Sequence, residues 1–171
     1  MVDLAFVVNG RSVTVADDGA SLLEVLRDRL GVRSAKDGCS PQGQCGCCTV
    51  LVDGQPRVAC VTPAGRVRGR EVTTVEGLFQ DGQLHAIQAA FKQEHGLQCG
   101  FCTPGMMLTG SALLAENPSP SEDEVRWAIS GNICRCTGYM NIVKAIEAAG
   151  RDLAADAETA DAETADESVA S

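Results

Sequence analysis

Apolar and polar positions change their period halfway along the chain. Leu4 to Val8 is a short apolar run, and Asn9-Gly10 follows it as a hairpin signal. Val13 and Val15 then alternate with polar partners, as on a half-buried strand. A helix is expected next. Ser21 and Glu24 form a capping box, and Leu22, Val25, Leu26 and Leu30 mark one face. Gly38 to Cys48 is a loop rich in glycine and cysteine. Thr49–Val52, the turn Asp53-Gly54, Arg57–Val61 and Val72–Val75 read as further strands. From Leu84 on, the period is helical. Leu84, Ile87 and Phe91 share a face, and a second helix runs from near Pro104 to Glu116, ended by Asn117-Pro118-Ser119-Pro120. Ser121 and Glu124 cap a third, with Val125, Ala128 and Ile129 inward and Gly131 as its stop. Ile142, Ile146, Ala149 and Leu153 mark a fourth. The expected fold is α+β, a strand-rich unit followed by a small four-helix bundle, with the boundary between Gly77 and Gly82.

The segment after Asp156 has no apolar period. Asp156-Ala157-Glu158-Thr159-Ala160 recurs as Asp161-Ala162-Glu163-Thr164-Ala165, and such a segment buries too little to offset its ordering entropy. We expect it to be disordered. The division is then 1–78, 79–154 and an acidic tail at 155–171. The formal net charge is −9, and the tail's six carboxylates account for all but −3 of it. No basic patch suits a nucleic acid.

Nine cysteines and only six aromatic residues stand among 171. A core so poor in large side chains calls for a staple, either disulfides or metal. The N-terminus lacks a signal-peptide pattern, and no stretch approaches the ~18 apolar residues of a membrane span. The expectation is a cytoplasmic protein, where clustered cysteines bind metal more often than they pair.

Eight cysteines fall into two quartets. Cys39, Cys45, Cys48 and Cys60 resemble the plant-type [2Fe–2S] run of C-x4-C-x2-C with a distant fourth cysteine, although the first gap here holds five residues. Glycines let such a loop curl and aim N–H groups at the cluster sulfurs. Cys99, Cys102, Cys134 and Cys136 form a C-x2-C and a C-x-C pair, each preceding an expected helix start, at Thr103-Pro104 and at Thr137-Gly138-Tyr139. Two helix N-termini facing one anionic group would favour thiolates. Structural zinc also takes four cysteines, and spacing alone leaves it open for the second quartet.

The stretches Lys36-Asp37-Gly38-Cys39, Gln44-Cys45-Gly46-Cys47-Cys48-Thr49-Val50, Gln98-Cys99-Gly100-Phe101-Cys102-Thr103-Pro104-Gly105-Met106 and Gly131-Asn132-Ile133-Cys134-Arg135-Cys136-Thr137-Gly138-Tyr139 resemble the iron–sulfur subunit of the molybdenum hydroxylases. That family includes xanthine dehydrogenase, aldehyde oxidoreductase and carbon monoxide dehydrogenase. The likeness runs from about Val7 to about Ala149. It implies a ferredoxin-like β-grasp domain and a four-helix domain, each holding one [2Fe–2S] cluster on one quartet. It further implies a molybdopterin cofactor, as a dinucleotide, on a large subunit and FAD on a medium subunit. Substrate would be oxidised at molybdenum with oxygen from water, and electrons would pass singly through the helical cluster, then the β-grasp cluster, to FAD. Gln98 and Cys136 would lie nearest the pterin. The chain itself would carry no catalytic residue. Two departures stand out: the five-residue gap, and Cys47 where the family often has alanine. Cys47 is read as a non-ligand.

A free-standing two-cluster ferredoxin and a zinc-stapled interaction module are the alternatives. The helical half favours the subunit, since a simple carrier needs only the first half. His85 and His95 lie away from the cysteine pairs and read as ordinary histidines. Arg66, Arg68 and Arg70 read as an exposed strand face. Trp127 reads as core or subunit interface, and Met106 and Met107 as packing.

Overall fold

The computed structural model describes residues 2–79 and 82–169, with side-chain environments for 3–79 and 82–156. Strand β1 (Val2–Val8) turns at Asn9-Gly10, both at positive φ, into β2 (Arg11–Asp17). The hairpin pairs Phe6 with Val13 and Leu4 with Val15. Helix α1 (Leu22–Glu24) starts at Ser21, whose hydroxyl accepts from the Glu24 amide at 3.2 Å. It continues as a π-turn over Val25–Arg29, an underwinding that periodicity does not reveal. Strands β3 (Thr49–Val52), β4 (Gln55–Val58) and β5 (Glu71–Thr73) complete a five-stranded sheet of order β2-β1-β5-β3-β4. Only β1 and β5 run parallel. Leu22, Val25 and Leu26 pack with Leu4, Phe6, Val50 and Val72 to form the first core.

Three expectations are corrected. The strand expected over Arg57–Val61 stops at Val58, and Ala59–Val61 is a 3-10 turn that brings Cys60 toward Cys48. The last strand is Glu71–Thr73, with Val75–Leu78 a 3-10 turn. The arginine segment is not a strand face. Ala64–Val67 is a 3-10 turn, Gly69 has φ +69°, Arg68 reaches Asp17 at 2.8 Å and Arg70 reaches Asp53 at 3.4 Å.

The second half is built from α2 (Ala86–Gln93), α3 (Thr103–Glu116), α4 (Glu122–Ala128) and α5 (Met140–Val169). His85 caps α2 by accepting from the Ile87 amide at Nδ1, 3.2 Å away, while Gln88 reaches back to the His85 amide. Ser121 and Glu124 cap α4 reciprocally, as expected. Ile87, Phe91, Met106, Val125, Ile142 and Ile146 form the second core. Helix α3 is buried on nearly every side. Leu108 and Ala112 meet Leu51 of β3, while Gly110 lets Ile87 and Ile146 approach so closely that a Cβ there would fall 2.8 Å from Ile87. Trp127 is 81% exposed and so is not core. The tail expected to be disordered carries helical backbone to Val169 as far as it is described. Its side chains from 157, and residues 170 and 171 altogether, lie outside the described residues. Among the described residues no helix is long and apolar enough to cross a membrane.

Candidate metal centres

The loop before β3 curls because Ser40, Gly43 and Gly46 all take positive φ. Gly38 is tightly enclosed: a Cβ there would sit 3.0 Å from Cys45 Sγ and 3.1 Å from the Phe101 ring. The curl turns the amides of Gln42, Gln44 and Cys45 onto Cys39 Sγ, with the Gln42 amide at 3.3 Å. Those donors pull the Cys39 thiol down to about 6. Cys39 and Cys45 sulfurs meet, and Cys48 meets Cys60, whose amide donates to Cys48 Sγ at 3.4 Å. Cys45, Cys48 and Cys60 are buried and Cys39 is half-buried. Burial pushes the Cys48 thiol up to about 12.

The second quartet converges from two turns. Cys99 and Cys136 sulfurs lie 3.6 Å apart on the surface, with Gln98 exposed beside them. Cys102 is buried and faces Cys134. Burial, then Cys134, pushes the Cys102 thiol up to about 12. Burial would also raise Cys134, but the Thr137 hydroxyl and the amides of Thr137 and Cys136 together bring it below its usual value. Cys102 itself, rather than Thr103, holds the N-cap position of α3, with Pro104 in the first turn. Helix α5 begins at Met140, three residues beyond Thr137.

The quartets touch through a polar seam that the sequence reading did not single out. The Ile133 amide donates to the Cys45 carbonyl at 2.8 Å. Buried Asn132 donates to the Gly46 carbonyl at 2.9 Å and accepts from the Thr109 hydroxyl at 3.0 Å. A Cβ on Gly46 would strike the Gly131 carbonyl at 2.3 Å, and one on Gly105 the Gly46 carbonyl at 2.4 Å. Asparagine in a cysteine-rich turn reads as surface, so nothing local betrays Asn132 as a seam residue. Cys47 is buried here, its Sγ 3.7 Å from the Cys45 carbonyl and 3.9 Å from the Ile133 carbonyl. His95, on the turn after α2, is exposed and outside both quartets. All nine cysteines are free of disulfides.

Two all-thiol quartets, backbone donors turned onto sulfur and no histidine among them suit anionic iron–sulfur clusters. Residues 6–73 match the family described as a 2Fe-2S iron-sulfur cluster binding domain, and residues 74–147 the family described as a [2Fe-2S] binding domain. The chain is therefore an α+β protein of two [2Fe–2S]-binding domains. Nicotinate dehydrogenase small FeS subunit of Eubacterium barkeri is 44% identical, over 79% of this chain and 85% of its own length. Nicotine 6-hydroxylase small subunit of Paenarthrobacter nicotinovorans is 47% identical, over 85% and 87%. A chain of quinoline 2-oxidoreductase from Pseudomonas putida 86 superposes with a TM-score of 0.83 at 45% identity, covering 88% of this chain and 94% of that one. This chain belongs to the iron–sulfur small subunits of the molybdenum hydroxylase family.

Proposed function

We propose that this chain is the electron relay of a cytoplasmic molybdenum hydroxylase. Cys39, Cys45, Cys48 and Cys60 hold one [2Fe–2S] cluster in a domain spanning 1–78. Cys99, Cys102, Cys134 and Cys136 hold the other in a domain spanning 79–154, and 155–171 forms a tail outside both. When bound, each cluster accepts and releases one electron. Gln98 and Cys136 face a molybdopterin dinucleotide on a large subunit, and the Cys39 loop faces FAD on a medium subunit.

The observation that carries this reading is the hydrogen bond from the Ile133 amide to the Cys45 carbonyl, 2.8 Å long. It joins the backbone beside Cys134 to that of Cys45 and gives the two quartets a short through-bond connection. Exposed Leu97, Phe101, Ile133 and Met140 lie in or beside the turns that carry the second quartet. An apolar collar with exposed Cys99 and Cys136 suits a stable subunit interface. The test is expression from the native operon with an affinity tag on this chain. Recovery with a molybdenum subunit and a flavin subunit is expected. A tagged monomer carrying both clusters, without partners yet fully active as a carrier, would overturn the reading.

A further inference from the structure

Within the turn that carries Cys134, one side chain is wired to the sulfur. Thr137 Oγ1 lies 3.1 Å from Cys134 Sγ and also accepts the Tyr139 amide at 3.2 Å. The Thr137 amide donates to the same sulfur at 3.5 Å. Tyr139, held at φ +69°, takes the Cys134 amide on its hydroxyl at 2.8 Å and donates onward to the Asn132 carbonyl at 3.3 Å. The turn is thus tied at both ends, and Thr137 has little freedom to leave the sulfur.

A metal-bound thiolate carries no proton. In the contact between Thr137 Oγ1 and Cys134 Sγ the hydroxyl is then the donor, since a thiolate can only accept, and its oxygen is free to accept from Tyr139 at the same time. Donors on a ligand sulfur stabilise the more negative, reduced state of a cluster. The first quartet contrasts with this. The donors on Cys39 Sγ from Gln42, Gln44 and Cys45 are backbone amides, which a side-chain truncation leaves in place.

We propose that Thr137 is a positioning residue that sets the reduction potential of the helical-domain cluster through its hydroxyl bond to Cys134. This rests on the cluster assignment above. Its consequence is directional. The bond holds an arriving electron on the helical cluster more favourably, and its loss tips the equilibrium toward the β-grasp cluster.

The experiment is an EPR-monitored redox titration of the assembled, cluster-loaded complex. It uses wild type, Thr137→Val, which keeps the shape and loses the donor, and Thr137→Ser, which keeps the donor. Thr137→Val should lower the one-electron reduction constant of one cluster about tenfold, equivalent to about 59 mV. The other cluster should not move, and Thr137→Ser should restore the wild-type value. Iron and sulfide counts establish the two-cluster assignment separately. Unchanged midpoints in a fully loaded Thr137→Val complex would overturn the proposal, as would equal shifts of both clusters. Should the valine chain lose a cluster, wild type and Thr137→Ser are transferred briefly to D2O. Double-resonance spectra of the reduced helical cluster must then show a fast-exchanging hydroxyl deuteron, and its absence overturns the proposal.

Discussion

The Ile133 amide and the Cys45 carbonyl meet at 2.8 Å, although they belong to segments far apart in sequence. That contact and the bonds of Asn132 around it fuse the loop before β3 to the turn before α5. The seam is polar, buried and tight, so its loss should reach both halves.

Asn132→Ala should destabilise the protein by about 1–3 kcal/mol, the cost of leaving the buried Thr109 hydroxyl without its partner. The Gly46 carbonyl keeps Thr49 as a donor, at 2.7 Å, and so adds little. Gly46→Ala should be more severe, since it combines φ +66° with a backbone carbonyl 2.3 Å from the new Cβ. Denaturant melts of the loaded protein check the order. Equal stability of the two variants would contradict it.

The metal content is expected to be about four irons and four acid-labile sulfides per chain, by the two-cluster assignment. Chelation should bleach the red-brown colour and lower stability together, because each quartet ties together segments that also pack into a core through Cys48 and Cys60 in one half and Cys102 in the other. A colourless protein with stoichiometric zinc would refute the assignment.

Cys47 should be dispensable as a ligand. Its sulfur faces two backbone carbonyls, whereas Cys48 faces Cys60. Cys47→Ala should leave both EPR signals in place, and Cys48→Ala should abolish one. The opposite pattern would mean that the five-residue gap has shifted the register of ligation.

Acid should loosen the start of α2. His85 caps that helix only while Nδ1 is a free acceptor, and burial holds its pKa below the usual 6.5. The unfolded chain therefore takes up the proton first as the pH falls. The cap's contribution is complete above about pH 6.5 and is lost as the pH falls through the lowered native value. His85→Asn keeps a capping oxygen without titrating, and a helix cap is worth about 1 kcal/mol. The melting temperature of wild type should drop relative to His85→Asn between neutral pH and mildly acidic pH. A constant difference would remove His85 from the acid response.

Much of this was legible in the chain. The caps at Ser21 and Ser121 are local, three-residue signals: Ser121 and Glu124 close a full capping box, while at Ser21 only the hydroxyl bond to the Glu24 amide forms and the Glu24 carboxylate turns to Arg29 instead. The Asn9-Gly10 turn fixes the register of the first hairpin for the same reason. The two cysteine groups are written in the spacing, but the close approach of the Cys99 and Cys136 sulfurs, at 3.6 Å, joins two motifs far apart in sequence. What stayed hidden is non-local. Cys60 bends Arg57–Val61 out of strand geometry because its amide is drawn to Cys48, a demand invisible in Val58-Ala59-Cys60-Val61 itself. Asn132 reaches Gly46 across 86 positions. Arg68, in the turn before β5, pairs with Asp17 at the end of β2. Trp127 announces contact by its type, yet on α4 it stands 81% exposed.

Helix α3 bears on the order in which the molecule is made. Leu51 of β3 is buried under Leu108 and Ala112, which the ribosome delivers only after the whole ferredoxin-like half has emerged. Domains commonly fold from the N-terminus during synthesis. The nascent sheet therefore spends that interval with an apolar face bare and β4 as an open edge, both invitations to the wrong neighbour. Slow codons or a shortage of iron in this window should show up as inclusion bodies rather than as an inactive soluble protein.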